Sequence, residues 1–134
     1  MSRQVGNSLI KRLGFYGLIG AYLVGGINHF ISPEWYWPLI PPYLVFIKAL
    51  NLISGLLEVV FALGLIFNRT RKWSVYGIIG LLIAFLPAHI HFIQLGSCIS
   101  NVMCFEPWVA WVRFLVVHPI LIYWAFIYRN YKRA

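Results

Sequence analysis

The apolar positions of this chain gather into four long runs, near residues 12–31, 43–67, 73–95 and 108–128. Each reaches the ~20 residues a helix needs to cross a hydrocarbon layer about 30 Å thick. Lipid gives backbone N–H and C=O groups no partners, so such runs predict helices. The expected architecture is all-α: an integral membrane four-helix bundle forming a single domain over residues 1–134. In the first run Gly14, Gly17, Ala21, Gly25 and Asn28 recur at steps of three or four. Gly77, Gly80, Ala84, Ala88 and His91 repeat the pattern in the third. Stripes of this kind let helix backbones approach closely.

The polar residues inside these runs are few. Asn51, Ser54 and Glu58 share one face of the second run. At ~1.5 Å per residue Glu58 lies deep in the span, where a carboxyl group has to face the protein interior. Arg113 sits about two turns into the last run, and a guanidinium keeps its charge. His29, His89, His91, Lys48 and Asn51 fall at a similar outer level, with Glu58 and His118 deeper. That depth match makes a Glu58–His118 hydrogen bond feasible. Rotation separates other members: on a regular helix His118 points away from Arg113, and His89 diverges from His91. Of that pair, His91 continues the small-residue stripe and is expected to point inward, unless Pro87 re-aims the helix.

Composition fits this picture: 61% of residues are apolar and 10% charged, against roughly 25% charged in globular domains. The net charge of +8 would suit nucleic acid, but its distribution argues otherwise. Arg3, Lys11 and Arg12 precede the first run, Arg69, Arg71 and Lys72 fill the middle connection, and Arg129, Lys132 and Arg133 follow the last. The other two connections contain no Lys or Arg and carry Glu34 and Glu106. This is the positive-inside pattern. It predicts a plasma (inner) membrane protein with both termini cytoplasmic and no nucleic-acid partner. The first run ends in NHFISPEW with no A-x-A-like site, so an uncleaved helix is expected in preference to a signal peptide. Trp35, Tyr36, Trp37, Tyr43, Trp108 and Trp111 mark the outer edge as an aromatic belt, and Trp73, Tyr76, Trp124 and Tyr128 the inner one. Cys98 and Cys104 fall in the second outer connection, where five intervening residues permit either a local disulfide or two free thiols. Four histidines invite a metal or haem, but P-A-H-I-H lacks the i, i+4 spacing that puts two ligands on one helix face. A polar outer cavity for a small or quinone-like ligand is the better reading, and a polar network that merely orients helices competes with it.

The stretch GGINHFISPEWYWPLIPP resembles the first-span exit of DoxX-like membrane proteins, with His29, Phe30, Pro33, Tyr36, Pro41 and Pro42 in the pattern. SGLLEVVFALGLIFNRTRKW resembles that family's second span through Ser54, Gly55 and Glu58, and PAHIHF its third through Pro87, Ala88 and His91. WVRF matches at Trp111 and Arg113. The chain departs where Leu115 replaces a usual proline and His118-Pro119 stands one residue out of step. Over residues 14–128 the resemblance implies a four-helix membrane protein, a subunit or partner of a quinone- or thiol-linked redox complex. On this reading His29, Glu58, His91 and Arg113 line an outward-opening ligand cavity, with Asn51, His89 and His118 secondary. Arg113 and His29 bind polar ligand atoms, and Glu58 orients them or takes a proton. The bilayer is one partner, and a membrane protein or second copy another. A non-enzymatic membrane chaperone, anchor or assembly factor is the main alternative, with a small oligomeric transporter as a third.

Overall fold

The computed structural model describes residues 2–132, with side chains from residue 8 onward. The side chain of Arg3, and Arg133 with it, therefore lie outside the described residues. The chain is mostly helical. Helix α1 covers Ser2–Ile31, α2 Ile47–Ile66, α3 Arg71–Ala84 and α4 Leu86–Gln94. After a hairpin of β1 (Cys98–Ile99) and β2 (Met103–Cys104) come α5 (Trp108–Val112), a π-turn over Arg113–Val117, and α6 (His118–Ile127). Three continuous helical segments are long and apolar enough to cross a membrane: Ile47–Ile66, Arg71–Gln94 and Trp108–Ile127. Helix α1 is longer but is diluted by glycines, Asn28 and His29, and does not join those three.

Helix α1 packs on α2, α2 on α3 and α3 on α6. Hydrogen bonds from Trp124 Nε1 to the Gly14 carbonyl (3.0 Å) and from Tyr128 Oη to the Lys11 carbonyl (3.0 Å) bring α6 back to α1. The glycine stripe of α1 serves two neighbours. Gly14 and Gly17 receive the Trp124 and Tyr128 side chains, while Gly25 and Gly26 face α2. The closest approach is at Gly26 and Gly55: a Cβ on either would stand 2.8 Å from the other's carbonyl oxygen. The stripe in α3 is different. Gly77 takes the Phe61 ring, whereas nothing lies within 4 Å of a Cβ on Gly80.

The principal core, with Phe15, Leu18, Ala62, Leu65, Val75, Ile78 and Ala125, lies toward the end where the 67–70 turn meets α1 and α6. Arg71 is buried there. It donates through Nε to the Leu65 carbonyl at 2.8 Å, and to the Ile66 and Tyr131 carbonyls. Its guanidinium lies over the Phe15 ring. A residue that reads in sequence as a loop cation is thus a clasp between α2 and the chain's end. At the opposite end Leu39, Phe92, Ile99 and Ala110 form a second small core. Ser97 Oγ fastens it by donating to the Pro107 carbonyl and accepting from Ala110 N–H. Cys98 and Cys104 are disulfide-bonded across the hairpin, their Cα atoms 4.0 Å apart.

Two breaks in regular winding decide which polar side chains converge. Helix α3 ends at Ala84 and α4 restarts at Leu86 with Pro87 in its first turn. In the last segment His118 N–H donates to the Arg113 carbonyl, five residues back. Pro119 supplies the reason: it has no N–H to give, and its ring would strike the carbonyl of Leu115 in a tight α-turn. Widening the turn relieves that contact.

Gly55→Val drives a branched side chain into the α1 backbone and should lower the melting temperature in detergent sharply, over-packing costing about 1–3 kcal/mol or more where backbone must move. Gly80→Ala has room for its methyl group and should be neutral or stabilising by up to ~1 kcal/mol, the helix-propensity difference. Equal melting temperatures for the two variants would contradict this account of the crossing.

Candidate functional site

The α1–α2 crossing sets His29 beside Asn51 and Glu58, one helical turn from the glycine contact. All three side chains are buried. Asn51 Nδ2 donates to the His29 carbonyl oxygen at 2.9 Å, so its Oδ1 must be the atom facing His29 Nδ1 at 2.7 Å. The opposite amide orientation would oppose two acceptors. His29 therefore carries its proton on Nδ1 and donates it to Asn51. The other nitrogen, Nε2, faces Glu58 Oε1 at 3.6 Å, within ion-pairing range but too long for a hydrogen bond. Tyr36 covers the other side of His29, its ring stacked at 3.7 Å between centroids and 21° between planes. Asn28 Nδ2 holds the Tyr36 hydroxyl at 2.8 Å.

A cavity of about 290 Å³ opens from this cluster. Its polar wall comprises His29, Tyr36, Asn51, Ser54, Glu58, His89 and Arg113, and its apolar wall includes Leu39, Pro41, Leu81, Phe85 and Phe92. Of the lining residues Leu50 on α2 and Ala84 at the end of α3 are exposed. Part of the cavity lining is thus at the apolar outer surface. Arg113 lies 5.7 Å from the Phe92 ring centroid. Among the described residues Glu58–His29 is the one carboxylate pairing, and no hydrogen bond joins the Arg113 side chain to the protein. The residue lines the cavity.

A second cavity of about 230 Å³, on the inner side of the first and sharing a wall with it, has the exposed Ala21 and Val117 in its lining. Glu58, Phe85, His89 and Arg113 belong to both walls, and Tyr22 and His118 join them on the inner side. The His89 and His118 rings meet edge-on with centroids 4.6 Å apart.

Several expectations from sequence are redistributed by this geometry. His29, Glu58 and Arg113 come together with Asn51 on the outer cavity. His91 does not line either cavity; His89 lines both. The stripe argument assumed one unbroken helix, and the restart at Leu86 changes its phase. His118 shares a cavity with Arg113 after all, because an i→i+5 turn makes five residues nearly one revolution, whereas regular winding leaves them about 140° apart. His118 and Glu58 line the same cavity without bonding each other. Tyr36, assigned to the interfacial belt by its neighbours Trp35 and Trp37, is instead part of the site. Tyr22 gave no signal beyond an apolar-run tyrosine. Among the described residues no three His, Cys, Asp or Glu side chains are grouped to hold a metal ion.

The arrangement defines a small helical membrane-type domain with a polar-headed internal cavity. The chain belongs to the family described as Domain of unknown function (DUF8561), whose model matches residues 18–129. No curated protein and no solved structure matches it.

Asn51→Ala removes both bonds that orient His29. It should reduce stability by ~1–3 kcal/mol for the group left unsatisfied. It should also abolish the fixed Nδ1–H tautomer, seen by nitrogen-15 NMR of histidine-labelled protein. A tautomer signal unchanged in the variant would mean that Asn51 does not set it.

Proposed function

We propose that this protein is a DoxX-like four-helix membrane bundle whose outer cavity binds a lipid-dissolved, ring-headed small molecule carrying carbonyl or hydroxyl oxygen, of the quinone class. The observation that carries this reading is Arg113: a permanent cation on a largely apolar cavity wall that it shares with His29 and Glu58, lying by the Phe92 ring and with no hydrogen-bond acceptor among the described residues. A guanidinium so placed supplies donors to a ligand oxygen. The stacked His29–Tyr36 pair, Phe85 and Phe92 provide flat apolar faces for a ring. The exposed Leu50 and Ala84 in its lining suit entry from the bilayer, and a cavity near 300 Å³ is of ligand size.

In the membrane both termini would lie on the cytoplasmic side of the plasma membrane. Lys11, Arg12, Arg69, Lys72 and Arg129 flank the helix ends gathered around Arg71 and Tyr128, which supports that orientation. Helix α1 would be the fourth span, its polar residues turned toward α2. Its place would be that of a ligand-holding subunit or partner in a redox complex. If the polar cluster only orients helices, the chaperone or anchor reading takes over.

Ubiquinone-1 binding to purified protein in nanodiscs separates the two. Arg113→Ala should weaken it about 10- to 100-fold, since a hydrogen bond to a charged group contributes ~1.5–3 kcal/mol and each 1.4 kcal/mol is tenfold. Glu58→Gln, which keeps shape and removes charge, should alter affinity with normal yield. No binding by the wild type, or equal binding by both variants, rejects the quinone-site reading.

A further inference from the structure

The inner cavity is lined by Tyr22 and His118, whose buried Oη and Nε2 atoms have no hydrogen-bond partner among the described residues. Tyr22 is 7% exposed and His118 3%. A buried hydroxyl and a buried ring nitrogen without partners each carry a desolvation penalty of ~1–3 kcal/mol. They sit on one cavity with room for several water molecules, and Glu58 adds a carboxyl group to the same wall. Sufficient volume and three bonding groups on one wall are conditions under which internal water is retained.

We propose that the inner cavity is a hydrated proton-exchange chamber, in which water bonded to Tyr22, His118 and Glu58 carries protons between the ligand cavity and His118. This rests on the ligand reading of the outer cavity and narrows the ligand to one with an ionisable ring hydroxyl. Glu58 belongs to both walls, so it can receive on one side and release on the other. When the hydroxyl enters, its O–H bond breaks and its electron pair stays on oxygen as a phenolate beside Arg113. The proton goes to the His29–Glu58 pair. Glu58 passes a proton to chamber water, and the lone pair of His118 Nε2 accepts one from that water. No electrons are transferred and charge balances.

The groups facing His118 are Tyr22 from α1, Glu58 from α2, His89 from α4 and Arg113 from the π-turn. Arg113 and a protonated His89 would both oppose a charge on His118. The phenolate removes the first objection by neutralising Arg113, which couples ligand binding to His118 protonation. His89 must then remain neutral.

Two measurements test this. Radiolytic labelling in oxygen-18 water reports bound water without any ligand. Tyr22 and His118, 7% and 3% exposed, should label several-fold faster than the comparably buried Tyr128 at 4%, and Tyr22→Phe should slow labelling of His118. Labelling of both at the Tyr128 level overturns the chamber. Infrared difference spectra then compare ubiquinol-1, which carries hydroxyl protons, with ubiquinone-1, which does not. Imidazolium bands should appear with the quinol alone, vanish in His118→Gln and persist in His91→Gln. Bands that survive His118→Gln, or that never appear although the quinol binds, overturn the proton path. Failure of both probes to bind rejects the outer-site reading and the proton path together, while the labelling result still decides whether the chamber is hydrated.

Discussion

The His29–Asn51–Glu58 cluster depends on how closely α1 and α2 cross at Gly26 and Gly55. Between helices in lipid there is little hydrophobic drive, so contact must come from packing and hydrogen bonding. Backbones that touch carbonyl to glycine allow Asn51 on one helix to reach the main chain and side chain of His29 on the other. A larger residue at either glycine would push the helices apart and open the short bonds first. The same proximity aims His29 Nε2 at Glu58 and places the Glu58 carboxylate against Gly25. Close packing and chemistry are here one arrangement, because the glycines that make the crossing lie within a helical turn of the groups that titrate.

The helices themselves were largely legible in the sequence. The apolar runs at 43–67, 73–95 and 108–128 correspond within a few residues to the three long apolar segments. The α1 glycine stripe foretold close contacts, though not that it would divide between α6 and α2. Depth was legible too: His29, Asn51 and Arg113 do meet on one cavity. Rotation was not. The face on which His89, His91 and His118 appear depends on one interrupted helix and one wide turn, and a fixed 100° per residue carries no knowledge of either. Pro87 and Pro119 were the available signals. A proline announces that winding will be irregular without saying how far the phase will shift. Tyr36 was hidden for another reason: interfacial aromatics are common, and what distinguishes this one is its bond to Asn28 and its stack on His29.

Two arginines separate scaffold from site. Arg71 is almost wholly buried, yet its nitrogens reach backbone carbonyls of Leu65, Ile66 and Tyr131 and its plane rests on Phe15. Its charge is met by oriented dipoles, and its work is finished within the fold. Arg113, half-buried on an apolar wall, lies over the Phe92 ring and lines the cavity. Taking a charge out of water without a partner costs several kcal/mol, and a chain that needed Arg113 only for packing would gain from a leucine there. The cost is consistent with function if a ligand oxygen supplies the missing acceptor. The Glu58 carboxyl group sharpens the point. It shares both cavities with Arg113, yet it is paired with His29. Among the described residues, Glu58 and Arg113 thus line the same cavities with no ion pair between them, the carboxylate turned to His29 and the guanidinium to Phe92.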